Sequence, residues 1–240
     1  MDLGIAGRVA LVTAASKGLG RGAAQALAAE GASLVICARG AEALEATRQS
    51  LASDGAEVLA LQLDVTEPAA PAALVAAALE RFGRLDIVVG NSGGPAPARA
   101  LEVDDDAIRR AVESNLLTHV RLVRESLPHL QAGGWGRICL VASYSIVQPL
   151  PNLALSNTAR TGLWAWAKTA AHDLMGSGIT LNLACPGQHL TDRIRELGRT
   201  EGNYGDPLDF GKVVAFMCSA PAGYLNGAAV VVDGGETLAL

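Results

Sequence analysis

The chain has no cluster of basic residues. Its 19 Lys and Arg are scattered among 24 Asp and Glu, for a net charge of −5 and a pI of about 5.4. Proteins that track nucleic-acid phosphates concentrate positive charge on one face, so nucleic acid is excluded as the main partner. Long apolar runs are also missing. No stretch reaches the roughly 18 uninterrupted residues from which a membrane helix is read. The opening sequence MDLGIAGRVALV has Asp2 and no basic segment ahead of its apolar run, unlike a secretory leader. A cytoplasmic protein with no membrane partner is expected. Cysteine is sparse: Cys37, Cys139, Cys185 and Cys218 lie in apolar segments without C-x-x-C spacing. That pattern points to buried free thiols in a reducing compartment. No internal repeat, low-complexity tract or linker interrupts the chain, so a single domain over residues 1–240 is expected. With half of its residues hydrophobic and a mean hydropathy of +0.28, the chain has a large core to bury.

What is present is organised around residues 8–20, RVALVTAASKGLG. Val9–Val12 is a short apolar run of the kind that fills a buried parallel strand. Thr13 to Lys17, with Ser16 among them, are small or polar and form a turn. Gly18, Leu19 and Gly20 then open a helix that runs through Glu30. A strand, a small-residue turn and a helix N-terminus make an anion site, because free N–H groups and the helix dipole point at the turn and glycine lets a phosphate come close. Such turns also serve packing alone. A second apolar strand over 33–37 arrives one helix later, as a right-handed β-α-β unit requires.

The alternation continues to the end of the chain. Helices are expected over 42–52, 68–82, 104–130, 153–175 and 208–219, and strands over 57–63, 86–89, 137–142, 179–184 and 228–232. Pro68 opens the third helix at a position that tolerates proline. Asp104, Asp105 and Asp106 read as a cap that complements the helix dipole rather than as a metal site, and no metal is expected. Seven strands alternating with six helices predict one α/β domain of the Rossmann kind, a doubly wound parallel sheet with helices on both faces. Ligands of such a sheet lie beyond the C-terminal ends of its strands.

The second strand ends in Cys37-Ala38-Arg39-Gly40, with no carboxylate. An acid there would hold the ribose 2′-hydroxyl of NAD, whereas an arginine accommodates the 2′-phosphate of NADP. Arg39, with Lys17 in the phosphate turn, therefore points to NADP(H); a solvated loop charge is the other reading of Arg39.

Thr13, Gly18 and Gly20 stand in register with the T-G-x-x-x-G-x-G signature of the short-chain dehydrogenase/reductase family. The chain resembles that family nearly throughout, and within it the 3-oxoacyl-carrier-protein reductases. Ala14 replaces the first glycine; positive φ is costly for alanine, so the turn must accommodate a Cβ. The resemblance implies that Asp64-Val65 meets adenine, and that Asn91, Ser92 and Gly93, set against the family's N-N-A-G, let the backbone approach adenosine. Gly90 and Ser92 depart from that motif. Asn115 matches the asparagine that holds a proton-relay water; Pro186, Gly187 and Thr191 match the P-G-x-x-x-T loop at the nicotinamide; Asp233-Gly234-Gly235 matches D-G-G.

The catalytic segment departs further. Ser143 occupies the family's serine position, but the Y-x-x-x-K that follows in the family has become Ser156 and Arg160. An alkanol has a pKa far above the roughly 10 of tyrosine, so Ser156 is a poor general acid. Arg160 can still hold ribose oxygens but cannot pass on a proton. Candidates for the missing donor are Tyr144, although neighbouring strand residues face opposite ways, His189 in the nicotinamide loop, and water relayed through Asn115 and Ser143. The other histidines, including His119, read as structural or exposed. The short segment 191–207, with Gly198, Gly202 and Gly205, implies an open substrate pocket. Two functions are compatible with these residues: an NADP(H)-dependent reductase of a small carbonyl substrate with an altered proton donor, or an NADP(H)-binding sensor or subunit partner without turnover. The family's dimer face falls on the helices over 104–130 and 153–175, where Leu163, Trp164 and Trp166 lie. A homo-oligomer, tetramer or dimer, is therefore expected, with the apolar tail from Thr237 to Leu240 at a second interface.

Overall fold

In the computed structural model of the chain, residues 1–196 and 202–239 are described. The predicted apolar runs are strands β1 Val9–Val12, β2 Ser33–Ala38, β3 Val58–Gln62, β4 Ile87–Gly90, β5 Gly136–Val141, β6 Ile179–Pro186 and β7 Ala229–Val232. They form one sheet in the order β3-β2-β1-β4-β5-β6-β7, with every neighbouring pair parallel. Every residue of β1, β4, β5 and β6 is buried; β1 and β4 accordingly read as unbroken apolar runs, whereas β5 and β6 also bury Arg137, Thr180 and Asn182. The strand order reverses between β1 and β4, and a crevice opens beyond their C-terminal ends.

The helices are α1 Gly18–Ala29, α2 Ala41–Ser53, α3 Ala70–Phe82, α4 Asp105–Val112, α5 Thr118–Gly133, α6 Ala154–Asp173, α7 Asp192–Glu196 and α8 Pro207–Met217. One face of the sheet packs on α1, α2 and α8 through Leu27, Leu44, Leu51 and Phe210. The other packs on α3, α5 and α6 through Leu74, Leu122 and Leu163. Helices α1 and α8 approach closely because both are glycine at the crossing: a Cβ on Gly22 would strike the Pro207 carbonyl, and one on Gly211 the carbonyl of Gly22.

Three expectations about the helices need correction. The helix expected over 68–82 begins at Ala70, and Pro71, not Pro68, occupies its first turn. The Asp64 carboxylate takes the Thr66 N–H at 3.0 Å, and the Glu67 and Ala70 amides continue the turn, so 64–69 is committed before the helix starts. The single helix expected over 104–130 is interrupted. A π turn, Glu113–Leu117, separates α4 from α5, because the Thr118 N–H bonds the Glu113 carbonyl five residues back and the Thr118 hydroxyl bonds it too at 2.9 Å. Finally, the segment after β6 contains the short helix α7. Gly198 and Leu240 lie outside the described residues. Asp104 does cap α4, accepting the Ala107 N–H at 2.7 Å. Among the described residues no helix is long and apolar enough to cross a membrane, and no group of His, Cys, Asp or Glu could hold a metal. All four cysteines are free and buried.

Candidate active site

The turn after β1 is fixed to the end of β4. The Thr13 hydroxyl donates to the Asn91 carbonyl at 2.6 Å and accepts the Asn91 N–H at 2.7 Å, and the Asn91 amide nitrogen donates to the Ala14 carbonyl at 3.3 Å. Thr13 is fully buried, so it clamps the two strands that flank the crevice. Ala14 does not avoid the left-handed region. Its φ is +48°, the one positive value among the described non-glycine residues, at a cost of about 1–2 kcal/mol. A Cβ on Gly20 would hit both the Ala14 carbonyl and the Asn91 side chain, so glycine there lets α1 sit against the turn. The Thr47 hydroxyl bonds the Ser16 carbonyl at 3.1 Å and ties the turn to α2.

Lys17 is the N-cap residue of α1 but supplies no side-chain cap, and the first turn of α1 has no acidic residue. The Gly18 N–H points instead at the Asp192 carboxylate, 3.3 Å away. Thr191, beside it, lies over Gly18, where a Cβ would come within 3.2 Å of its methyl group. From this helix end a cleft of about 820 Å³ runs across the ends of β2 and β3, lined by Ser16, Lys17, Arg39, Asp64, Val65 and Gly93. Leu19 packs against the core on its own face of the sheet. Arg39 is 79% exposed and stands 3.8 Å from the Asp64 carboxylate. Burial alone would raise the Asp64 carboxyl. Hydrogen bonds from the Thr66 N–H and hydroxyl, with the Arg39 charge, outweigh it and hold the group below the usual range. Burial pushes the Cys37 thiol, also in this cleft, up to about 11, so it stays neutral.

Ser143 follows β5 and is half-buried, and its hydroxyl oxygen accepts the Ser145 N–H at 3.2 Å. Tyr144 is not a strand residue; it starts a 3₁₀ turn, Tyr144–Ile146. Its phenol donates to Glu236 at 3.0 Å, and the same carboxylate oxygen accepts the Gln188 side-chain amide at 2.8 Å. Burial first, then the Glu236 hydrogen bond and charge, push the phenol up to about 12. The tail that carries Glu236 folds back on its own chain. Thr237 N–H bonds Asp233 at 2.7 Å and Leu238 N–H bonds the Gln148 side chain at 2.8 Å. Leu238 itself stays exposed.

Asn115 lies in the π turn, fully buried, with its amide nitrogen 2.8 Å from the Ser114 hydroxyl and its oxygen 3.5 Å from the Ser92 hydroxyl. Ser156 and Arg160 are both buried on α6, one turn apart. The Arg160 guanidinium donates to the Val141 and Ala142 carbonyls at 2.8 and 3.0 Å, at the end of β5. Burial lowers it to about 10. His189 is neither solvated nor turned toward Ser143. It is buried edge-on against Phe210 with ring centroids 5.2 Å apart, and its Nδ1 sits 3.2 Å from the Gly187 carbonyl. Pro186 closes β6 beside Val232, and Gly187 donates to the Val232 carbonyl at 2.9 Å.

A family model for short chain dehydrogenases matches residues 8–202. The chain belongs to the short-chain dehydrogenase family. It is 30% identical to the 3-oxoacyl-acyl-carrier-protein reductase of Escherichia coli (strain K12), over 95% of this chain and 97% of that one. Among solved structures it is similar to L-sorbose reductase from Gluconobacter frateurii complexed with NADPH and L-sorbose. The TM-score there is 0.92, with 32% identity and coverage of 99% of this chain and 100% of that one. It is equally similar in fold to 7α-hydroxysteroid dehydrogenase complexed with NADH and 7-oxo glycochenodeoxycholic acid, with a TM-score of 0.92, 26% identity and coverage of 98% and 96%. One fold thus accommodates either nicotinamide cofactor.

The structure gathers the residues singled out in the sequence along the C-terminal edge of one sheet, in two groups. Ser16, Lys17, Arg39, Asp64, Val65 and Gly93 line the β1–β3 cleft; Thr13, Leu19 and Gly20 pack behind the turn, and Gly18 lies in a neighbouring pocket under Thr191. Ser143, Tyr144, Ser156 and Arg160 lie at the end of β5 and the start of α6. Asn91, Ser92 and Asn115 join the two. Sequence reasoning missed Glu236, Asp192 and His119. Glu236 had no signal beyond lying after Asp233-Gly234-Gly235, and Asp192 none beyond following Thr191. His119 did have one, in the unusual Gly90 that faces it.

Proposed function

We propose that this short-chain dehydrogenase is an NADP(H)-dependent reductase that converts a small carbonyl compound to an alcohol, 3-oxoacyl-reductase-like in architecture, with an altered proton donor. The carrying observation is the β1–β3 cleft, lined by Lys17 and by Arg39 at the end of a β2 without a carboxylate, a pair of cations suited to hold a 2′-phosphate. The residues fit the cofactor. Gly40 and Gly93 have no atom within 4 Å of where a Cβ would stand, so the cleft wall is open to a ligand there. The end of α1 presents backbone N–H groups, and a phosphate bound there takes the Gly18 N–H from the Asp192 carboxylate that faces it at 3.3 Å. In this reading Ser16, Lys17, Gly18, Leu19 and Gly20 hold the phosphates. Asp64, Val65, Asn91, Ser92 and Gly93 border the adenosine, and Pro186, Gly187 and Thr191 border the nicotinamide. The sorbose reductase, similar at 32% identity, is complexed with NADPH, in keeping with this choice; the choice over NADH rests on Lys17 and Arg39.

When bound, the cofactor supplies the hydride. Ser143 supplies polarisation: its oxygen accepts the Ser145 N–H, and its own proton remains to donate to the substrate carbonyl. Arg160 keeps a positive charge below the reacting groups and gives up no proton. Tyr144 is a poor acid with a pKa near 12 and its proton committed to Glu236. His189 is packed away from the site against Phe210. Water, placed by Asn115 and Ser143, is left as the proton source. General acid catalysis is worth roughly 10²–10⁴-fold, so turnover is slow. In this reading the protein is a homo-oligomer: Trp164 and Trp166 of α6 pack against the chain's own core and stay partly exposed, leaving apolar surface for a second copy to cover.

The test is steady-state NADPH oxidation against ketones, aldehydes and 3-oxoacyl thioesters, alongside Ser143→Ala and light scattering. Slow reduction that Ser143→Ala abolishes is expected. NADPH binding without reduction of any carbonyl would instead make the chain a cofactor-binding sensor or partner subunit.

A further inference from the structure

His119 lies on α5 one turn beyond Asn115 and is 1% exposed. Neither of its ring nitrogens reaches a hydrogen-bond partner, although the carbonyls of Gly90 and Asn115 face the ring. Buried polar groups are bonded to protein or to ordered water almost without exception, and each one left bare costs about 1–3 kcal/mol. A neutral ring's single N–H can turn to one of these carbonyls, which leaves its other nitrogen a buried acceptor without a donor. Burial, and then the charge of Arg160, hold the imidazole neutral, pushing it down to about 3. A neutral imidazole has one donor and one acceptor nitrogen, which suits a bridge between unlike groups.

The neighbours supply those groups. They are the Asn115 and Gly90 carbonyls and the Arg160 guanidinium, whose acceptors are the neutral Val141 and Ala142 carbonyls. A buried water needs two to four polar partners, and this corner has them. Gly90 makes the room for the ring. A Cβ at that position would stand 2.9 Å from the His119 ring and 2.8 Å from Leu140. The unusual glycine at the end of β4, the buried histidine and the arginine on α6 thus form one contiguous unit. A polar thread leads to it from the cofactor cleft, from Ser114 at the cleft wall to the Asn115 amide at 2.8 Å, and from the Asn115 oxygen to Ser92 at 3.5 Å.

We infer that His119 is a positioning residue: its ring holds an ordered water between the Asn115 turn and the Arg160 guanidinium, and so fixes Arg160 on the carbonyls of β5. This rests on the reductase reading for its effect on rate, but its central test needs no turnover. In the full-length protein, the ring ¹⁵N shifts of His119 should report a neutral imidazole hydrogen-bonded at both nitrogens. A high-resolution crystal structure should show a water at hydrogen-bond distance from the ring. A bare ring with no water overturns the inference, whatever the protein catalyses.

The kinetic arm uses His119→Phe, which keeps a ring of similar size and removes both nitrogens. A drop in kcat of about tenfold, one buried hydrogen bond's worth, is expected with KM for the carbonyl within about twofold. His119→Gln should restore part of it. An unchanged kcat in a folded His119→Phe protein reduces the histidine to filler. If His119→Phe fails to fold, Gly90→Ala provides the second route. It should displace the ring and lower kcat, and combining it with His119→Ala should cost less than the sum of the two; strict additivity would overturn the coupling.

Discussion

On the β1–β3 side of the crevice, backbone shapes the cleft through the turn after Val12, the end of α1 and the open wall at Gly40 and Gly93, and Lys17, Arg39 and Asp64 add charge to it. On the β5–β7 side the groups are side chains: Ser143, Tyr144 with Glu236, Ser156, and Arg160 with His119. The two sides have diverged from the family pattern differently. The first kept its geometry and absorbed a substitution as strain, with Ala14 at φ +48°. The second kept its geometry too, but exchanged the atoms that do chemistry. A backbone site survives any replacement that leaves its path intact. A side-chain site can lose its acid without any cost to the fold, because Ser156 and Arg160 still bury and bond as α6 requires.

The sharpest way to break this contrast is to restore the chemistry alone. Ser156→Tyr with Arg160→Lys should raise kcat for activated carbonyls by about 10²-fold, with little change in NADPH affinity measured by fluorescence titration. Tyr144→Phe, made beside it in the natural background, should leave kcat within about twofold. If the double variant binds NADPH normally and reduces nothing, the β5–β7 side has lost more than its acid, and the contrast as drawn fails.

Charge reversal on the other side has a smaller effect. Arg39→Asp should weaken NADPH binding by about tenfold or more, the value of a lost charge-assisted contact, and leave NADH nearly unchanged. The difference should shrink at high salt, since Arg39 is exposed. Tighter binding of NADH than NADPH by the unaltered protein would remove the basis of the NADP(H) assignment.

The smallest effect concerns the strained turn. Ala14→Gly relieves about 1–2 kcal/mol of left-handed strain and loses about 1 kcal/mol through the freer unfolded chain. Stability should therefore change by less than about 1 kcal/mol, or a few degrees in Tm for a chain of this size. A clear destabilisation by thermal denaturation would show that Ala14 is comfortable where it is.

Much of this molecule follows from local pattern. The parallel sheet and its flanking helices were legible because buried strands appear as apolar runs and the segments between them have helical length and composition. The crevice and its phosphate-binding turn were legible because they depend on backbone rules that glycine and short polar residues announce. The helix over 104–130 was less so. Its division at Asn115 comes from Thr118 reaching back to Glu113, and no propensity foretells a π turn. Nor was the fate of each candidate donor legible. Tyr144 meets Glu236 across 92 residues of chain, and His189 finds Phe210 only once α8 folds over it.

The sequence by itself determined the architecture, the place of the cofactor cleft and the identity of the missing groups, since all three lie in spacings a few residues long. Only the tertiary structure decided which side chains became chemically useful. Proton donation, pKa and orientation depend on what each group is buried against. Here those neighbours, Glu236 for Tyr144, and His119 and the β5 carbonyls for Arg160, come from distant parts of the chain.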